Sequence, residues 1–432
     1  MNKDWKQQDL EYCWHPFTQQ QEWKQQSESI LAIQSGQGVW LTDHKGRSYI
    51  DGNASIWTNI HGHAHPVINQ AIIDQLSVIA HSSYLGFANP LASQLSSELI
   101  HLVNDTDLKR VFYSDDGSTA VECAMKMELQ FRKQSQQLDK VEFIAFDQAY
   151  HGDTMGAASL GGVAIFHDKI NNQGAVCHHV QHMQALRKLP LETIEKVCAI
   201  VIEPLIQGVN QMRPWPQGML GELRDWCNQH DIHLILDEVM TGFGRTGKMF
   251  AYQHEGISPD YICLAKGLTG GYLPMAATIT SEKIYQAFLG EVTEHKAFYY
   301  GHSYTANPLG CAAALANLKV FREEKTLDSL PHKIKVLALS LDKLKEDHPE
   351  IYEVRQCGMI VGIELRQTNQ KKFPAEQRVG HQVCLAARDH QLLTRPILDT
   401  IVFLPPLCIT PAEIEQAIEA ISKAITQVIA TI

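Results

Sequence analysis

The chain has 432 residues, 44% of them hydrophobic and 20% charged, with a formal net charge of -11. That length exceeds what one hydrophobic core serves, so two or three subdomains are expected, and the composition is that of an ordinary globular protein. The acidic balance argues against nucleic acid or an anionic membrane as partner; no run approaches a membrane span, and ten cysteines without a CxxC pair read as free thiols of the cytoplasm.

Residues 1–60 carry short strand-like pieces. In GVWLTDHKGRSYIDG the turn residues His44, Lys45 and Gly46 separate two alternating apolar runs, the pattern of a hairpin. From about 65 to 325 helical and strand patterns alternate, as in an open α/β sheet. The histidines of HGHAHP, at 61, 63 and 65, could converge on one metal if they lay on a strand. Pro66 and the helical pattern behind it point instead to loop or packing histidines, with no metal site.

Residues 110–113 read as a strand, and SDDGST then opens a helix through Ala120, Cys123, Ala124 and Met127. A glycine and hydroxyls at a helix N-terminus offer free N–H groups and the positive end of the macrodipole to an anion. Gly117 and Ser118 are therefore candidate phosphate ligands, although a simple N-cap uses the same residue types. Residues 143–146 form the next strand, and Tyr150 follows in the glycine-bearing loop AYHGDTMG, where an aromatic can stack on a planar ring or simply pack.

Two further apolar runs each deliver one reactive residue, HLILDEV at Asp237 and DYICLAKG at Lys266. Short apolar runs followed closely by glycine are the mark of buried parallel strands whose carboxyl ends open into a crevice. Asp237 and Lys266 are thus expected in one cleft. A lysine there can form a Schiff base with a carbonyl, and a buried aspartate can keep a pyridinium nitrogen protonated, the two protein groups that pyridoxal 5'-phosphate requires. A buried ion pair is the other use of the same two residues. A boundary is expected in the polar stretch 322–325, and near the C-terminus Thr410-Pro411-Ala412-Glu413 forms a capping box ahead of Ile414, Ile418, Ile421, Ile425 and Ile429 at helical spacing.

Taken together, SDDGSTAVECAMK, YHGDT, VIEP (201–204), LDEVMTGFGRTGK (236–248), the lysine of LAKGLTGG and GHSYTANPLGCAAA (301–314) resemble the class III, pyridoxal-phosphate-dependent aminotransferases of fold type I. The match runs in that family's order and spacing through most of the chain. It implies a large α/β domain on a mainly parallel sheet (61–325), a smaller α+β domain (326–432) and an N-terminal segment (1–60) that joins the small domain and the active site. It implies Lys266 as the catalytic lysine, Asp237 as partner of the pyridine nitrogen and Tyr150 against the ring. It also implies Gly117 and Ser118 on the phosphate and Glu203 on the ring-oxygen side. The family usually has threonine where this chain has Ser303. That hydroxyl, beside His302, completes the phosphate cup of the neighbouring subunit, which implies an obligate homodimer with shared sites.

Within the family, WHPFTQ (14–19), DGNASIWTNIHGHAHP (51–66) and LTRPILDTIVFLPPL (393–407) resemble the members that aminate 8-amino-7-oxononanoate in biotin biosynthesis. This implies Phe17 and Gly301 at the substrate, Arg395 on its carboxylate, and Ile56 and Trp57 along its methylene chain. A bidentate guanidinium–carboxylate pair suits a substrate whose acid end lies far from its ketone. S-adenosylmethionine ranks first as amino donor on the family's habit. Members that use it carry a tyrosine and a tandem Trp-Trp where this chain has Phe17 and Ile56-Trp57, and the loss of one hydroxyl and one indole keeps L-lysine as the second candidate donor. The same motifs also allow a different omega-aminotransferase of the class, and the histidine cluster allows, remotely, a metallohydrolase.

Overall fold

A computed structural model describes residues 5–25, 29–163 and 174–432. Two short helices open the chain, α1 (Trp5–Tyr12) and α2 (Gln20–Gln25). The strand-like pattern of residues 1–60 does not announce them, because neither buries a residue and so neither has an apolar stripe to read. The expected hairpin follows β1 (Ile33–Gln37) as β2 (Trp40–Asp43) and β3 (Ser48–Asp51), paired from Trp40↔Ile50 to Thr42↔Ser48. Asp43 closes its turn by accepting the N–H groups of Lys45 at 2.8 Å and Arg47 at 2.9 Å.

Helices α3 (Pro66–Val78) and α4 (Pro90–Val103) lead to the first strand of the central sheet, β4 (Leu108–Ser114), which is followed by α5 (Gly117–Gln134). The chain continues through β5 (Glu142–Phe146), β6 (Cys177–Val180), β7 (Val197–Ile202), the small ribbon β8 (Ile206–Gln207) and β9 (Arg213–Pro214), and α6 (Met219–Gln229). Strands β10 (His233–Asp237), β11 (Tyr261–Leu264) and β12 (Ala276–Ser281) complete a seven-stranded sheet ordered β4-β12-β11-β10-β7-β5-β6. Only β12 runs against the others. Strands β7, β10 and β11 are buried along their whole length, and their side chains alternate between two cores. Ile200, Leu234, Leu236, Ile262 and Leu264 face one core, shared with α4 and α6, whereas Val201, Ile235 and Cys263 face the other, built on α5. Burial on both faces is why these segments read as uninterrupted apolar runs.

The chain breaks between α7 (Pro308–Glu323) and α8 (Thr326–Asp347), with Lys325 in the left-handed region at φ 50°. Beyond it, β13 (Ile351–Cys357) and β14 (Ile360–Leu365) pair with β16 (Pro396–Ile397) and β17 (Thr400–Phe403) in a second sheet, ordered β13-β14-β17-β16. Strand β15 (Leu392–Leu393) lies parallel to β3, so the C-terminal part is stitched to the N-terminal hairpin. The last helix, α9 (Pro411–Ile429), has the capping box between Thr410 and Glu413 and buries Ile414, Ile418, Ile421 and Ile425. No helix among the described residues is long and apolar enough to cross a membrane.

Candidate active site

Open parallel sheets place ligands at the carboxyl ends of their strands. Here β10 ends on Asp237 beside Cys263 of β11, and Lys266 lies two residues beyond β11. Both line one cavity of about 390 Å³, together with Gly117, Ser118, Tyr150, Glu203 and Trp57. The cleft expected from the two apolar runs is therefore present, and these seven residues, all singled out by the sequence, meet in it.

Asp237 is buried and held in a fixed orientation. Its Oδ2 lies 2.8 Å from Nδ1 of His151, and its Oδ1 accepts the Val239 N–H at 3.1 Å. A carboxylate only accepts, so Nδ1 of His151 carries the proton. The other ring nitrogen of His151 is buried without a partner among the described residues. Lys266 is half-buried. Burial lowers its pKa, against the charges of Asp237 and Glu203 and with that of Arg245. Its Nζ sits 4.9 Å from the centroid of the Trp57 indole. Glu203 follows β7 and accepts the N–H of Tyr150 at 3.3 Å and of Gly208 at 2.8 Å. Burial pushes its carboxyl up to about 7.

At the other side of the cavity α5 begins. Asp116 is its N-cap and forms a reciprocal box with Thr119, which leaves the N–H groups of Gly117 and Ser118 without an acceptor among the described residues. The loop carrying Tyr150 lies against this end, because Ser118 Oγ accepts the Asp153 N–H at 3.1 Å. Glycines permit close packing on both sides of this helix start, against the Tyr150 loop and against the residues after β10. A Cβ on Gly152, at φ 127°, would fall 2.2 Å from Ser118 Oγ, and one on Gly117 would fall 2.7 Å from Val239 Cγ1. The Tyr150 hydroxyl donates to Asp153 at 2.6 Å.

Other residues singled out by the sequence stay apart within one chain. His302 hangs on Asp115 through Nδ1 at 2.7 Å and meets the Tyr300 hydroxyl through Nε2 at 2.8 Å. Gly301, Ser303 and Arg395 are exposed, as are Phe17 and Ile56, and none of these lines the cavity. The Arg395 guanidinium has no ion-pair partner among the described residues. The histidines of HGHAHP take different partners: His61 packs on Phe321 with its ring centroid 6.0 Å from that of His65, His63 reaches Asp51 and His65 reaches Glu324. No three metal-ligating side chains converge among the described residues. Sequence reasoning does not single out His151, Asp115 or the buried Arg245, although all three lie inside the family-like motifs, since spacing does not say which strand end a loop side chain faces.

The family model for class III aminotransferases matches residues 22–425. A Geobacter sulfurreducens protein named adenosylmethionine-8-amino-7-oxononanoate aminotransferase is 43% identical over 98% of this chain and 97% of its own length. Among solved structures, the adenosylmethionine-8-amino-7-oxononanoate aminotransferase of Methanocaldococcus jannaschii matches with a TM-score of 0.94 and 39% identity, covering 98% of both chains. An amine transaminase from an uncultivated Pseudomonas species, in its PLP-bound internal aldimine form, matches with a TM-score of 0.89 and 29% identity over 96% of this chain and 99% of that one.

Proposed function

We propose, from the premise that this chain belongs to the class III aminotransferase family, that it converts 8-amino-7-oxononanoate to 7,8-diaminononanoate in biotin biosynthesis, with pyridoxal 5'-phosphate as cofactor and S-adenosylmethionine as amino donor. The observation that carries the proposal is the half-buried Lys266 opening into one cavity with the Asp237–His151 pair and the start of α5, in a chain so similar to proteins named adenosylmethionine-8-amino-7-oxononanoate aminotransferase.

The residues fit the cofactor. Unpaired N–H groups suit a phosphate at the start of α5, a fixed carboxylate suits a ring nitrogen, and glycines stand where a Cβ would close the cradle. Bound there, the cofactor supplies an aldehyde that takes up the amine and a ring that accepts the electron pair released at carbon. Gly117 and Ser118 hold the phosphate. Asp237, oriented by His151 and Val239, holds a proton at the pyridine nitrogen. Lys266 is neutral at a lower pH than a surface lysine, so its Nζ can take a proton from the reacting carbon and return it. Trp57 forms one wall of the cavity beside the amine.

Arg395, with its free guanidinium, receives the carboxylate of the ketone substrate, and Phe17, Ile56 and Gly301 complete that end of the site. Their exposure in one chain supports a homodimer in which a second copy covers them and Ser303 reaches the partner's phosphate. Val78, Leu85 and Phe87, 77%, 88% and 71% exposed, are further apolar side chains that a second copy would cover. The free thiols suit a cytoplasmic enzyme. L-lysine is the second donor, favoured by Phe17 and Ile56 standing where adenosylmethionine-using members have a tyrosine and a tryptophan. Formation of the pyridoxamine form with each donor alone, followed by product formation on adding the ketone, tests the assignment. Turnover with S-adenosylmethionine is expected, turnover only with L-lysine would change the donor, and no product with either would refute the proposed reaction.

A further inference from the structure

Ala54, Ser55, Ile56 and Trp57 are four consecutive non-glycine residues in the left-handed region, at φ 43°, 50°, 70° and 69°. They make one left-handed turn, closed by the Trp57 N–H on the Asn53 carbonyl at 2.8 Å and the Thr58 N–H on the Ala54 carbonyl at 2.9 Å. Single residues visit this region, but a run does so against steric cost, which is greatest for a β-branched residue such as Ile56. Such backbone persists only where its surroundings over-determine it.

Asp51, 3% exposed at the end of β3, supplies much of that determination. Its Oδ1 accepts the Ser55 N–H at 3.1 Å and the Asn53 N–H at 3.3 Å, and its Oδ2 accepts the Ser55 hydroxyl at 3.0 Å. His63 fixes the carboxylate from the other side at 2.9 Å. The indole is tied back in turn, its Nε1 donating to Asn53 Oδ1 at 2.9 Å, and buried Arg245 donates to the Asn59 carbonyl at 2.7 Å beyond the turn. The result is the Trp57 ring standing 4.9 Å from the Lys266 amine. A right-handed turn would carry that side chain off on the opposite hand.

We propose that Asp51 is a positioning residue for substrate selection, holding the left-handed turn 54–57 so that the Trp57 indole walls the site beside Lys266. The proposal rests on Trp57 being a wall of the substrate site. Asp51→Asn in the holoenzyme should leave the cofactor's visible absorbance intact and raise KM for donor and ketone about tenfold, the worth of one hydrogen bond to a charged group, with kcat much less changed. In a Trp57→Ala background the same substitution should add nothing. Ile56→Gly removes the steric cost of a β-branched residue at φ 70°, so it should raise the melting temperature. Ser55→Ala, which deletes one of the same bonds at little risk to folding, should move KM the same way by less. A KM rise from Asp51→Asn that persists without Trp57, or no rise from either Asp51→Asn or Ser55→Ala, overturns the proposal. Unchanged KM in Trp57→Ala alone overturns it through its premise, whereas a failure of Ile56→Gly to stabilise refutes the strained turn and leaves the substrate-site reading standing.

Discussion

Replacing Glu203 by glutamine should change how the stability of the apoenzyme responds to pH. The carboxyl sits behind β7 with two backbone N–H groups on it, and burial, helped by the charge of Asp237 and opposed by His151 and those donors, pushes it from 4.5 to about 7. In the unfolded chain the glutamate loses its proton near pH 4.5, whereas in the folded chain it keeps it until about 7. The folded state therefore binds the extra proton in that window. Its stabilising effect is complete below pH 4.5 and is lost as pH rises through 7. At about 1.36 kcal/mol per pKa unit the loss comes to about 3 kcal/mol. Glutamine has no proton to release, and its amide gives up at most a constant hydrogen-bonding increment. For 432 residues at about 2.1 cal/mol/K each, that free energy corresponds to about 3–4 °C. Scanning calorimetry of wild-type and Glu203→Gln apoenzyme from pH 5 to pH 8 should show the variant gaining by that amount toward the alkaline end. Melting temperatures that run parallel across the range would refute the argument.

Lys266→Ala should abolish transamination and the borohydride-reducible cofactor adduct; a retained adduct would remove the lysine from its role. Arg395→Ala should weaken use of 8-amino-7-oxononanoate by about 2–5 kcal/mol, the cost of stranding a desolvated carboxylate, while cofactor binding stays normal. An unchanged second half-reaction would refute that pairing. Ser303→Ala should weaken cofactor binding by about 1.5–3 kcal/mol, and heterodimers of Ser303→Ala with Lys266→Ala should recover activity because one site collects both defects. No recovery would mean Ser303 serves its own subunit. Gly117→Ala places a Cβ 2.7 Å from Val239 Cγ1, so cofactor titration should show weakened binding in a folded protein, and wild-type affinity would show that the cradle has room to give.

Residues whose meaning is local were legible in the chain. Apolar runs too short for helices placed Asp237 and Lys266 at the ends of parallel strands, because a strand buried on both faces has no polar side to alternate with. The capping box at Thr410 and the isoleucine spacing behind it marked the last helix, since an N-cap and one buried face are both written within a few turns. The motifs and their order carried the family. Three features needed the folded chain. His151 meets Asp237 across 86 residues, and no periodicity reports which distant side chain a buried carboxylate faces. The polar helices α1 and α2 bury nothing, so they leave no amphipathic trace. The left-handed turn at Ala54–Trp57 runs against the propensity of every residue in it, and it exists because Asp51 and Asn53 just before it are joined by His63, which fixes Asp51, and by Arg245, which arrives from 186 residues away. Periodicity records which face of a segment is buried; the partners that hold a strained backbone or orient a charge are chosen by tertiary packing, which brings together residues that the linear chain keeps far apart.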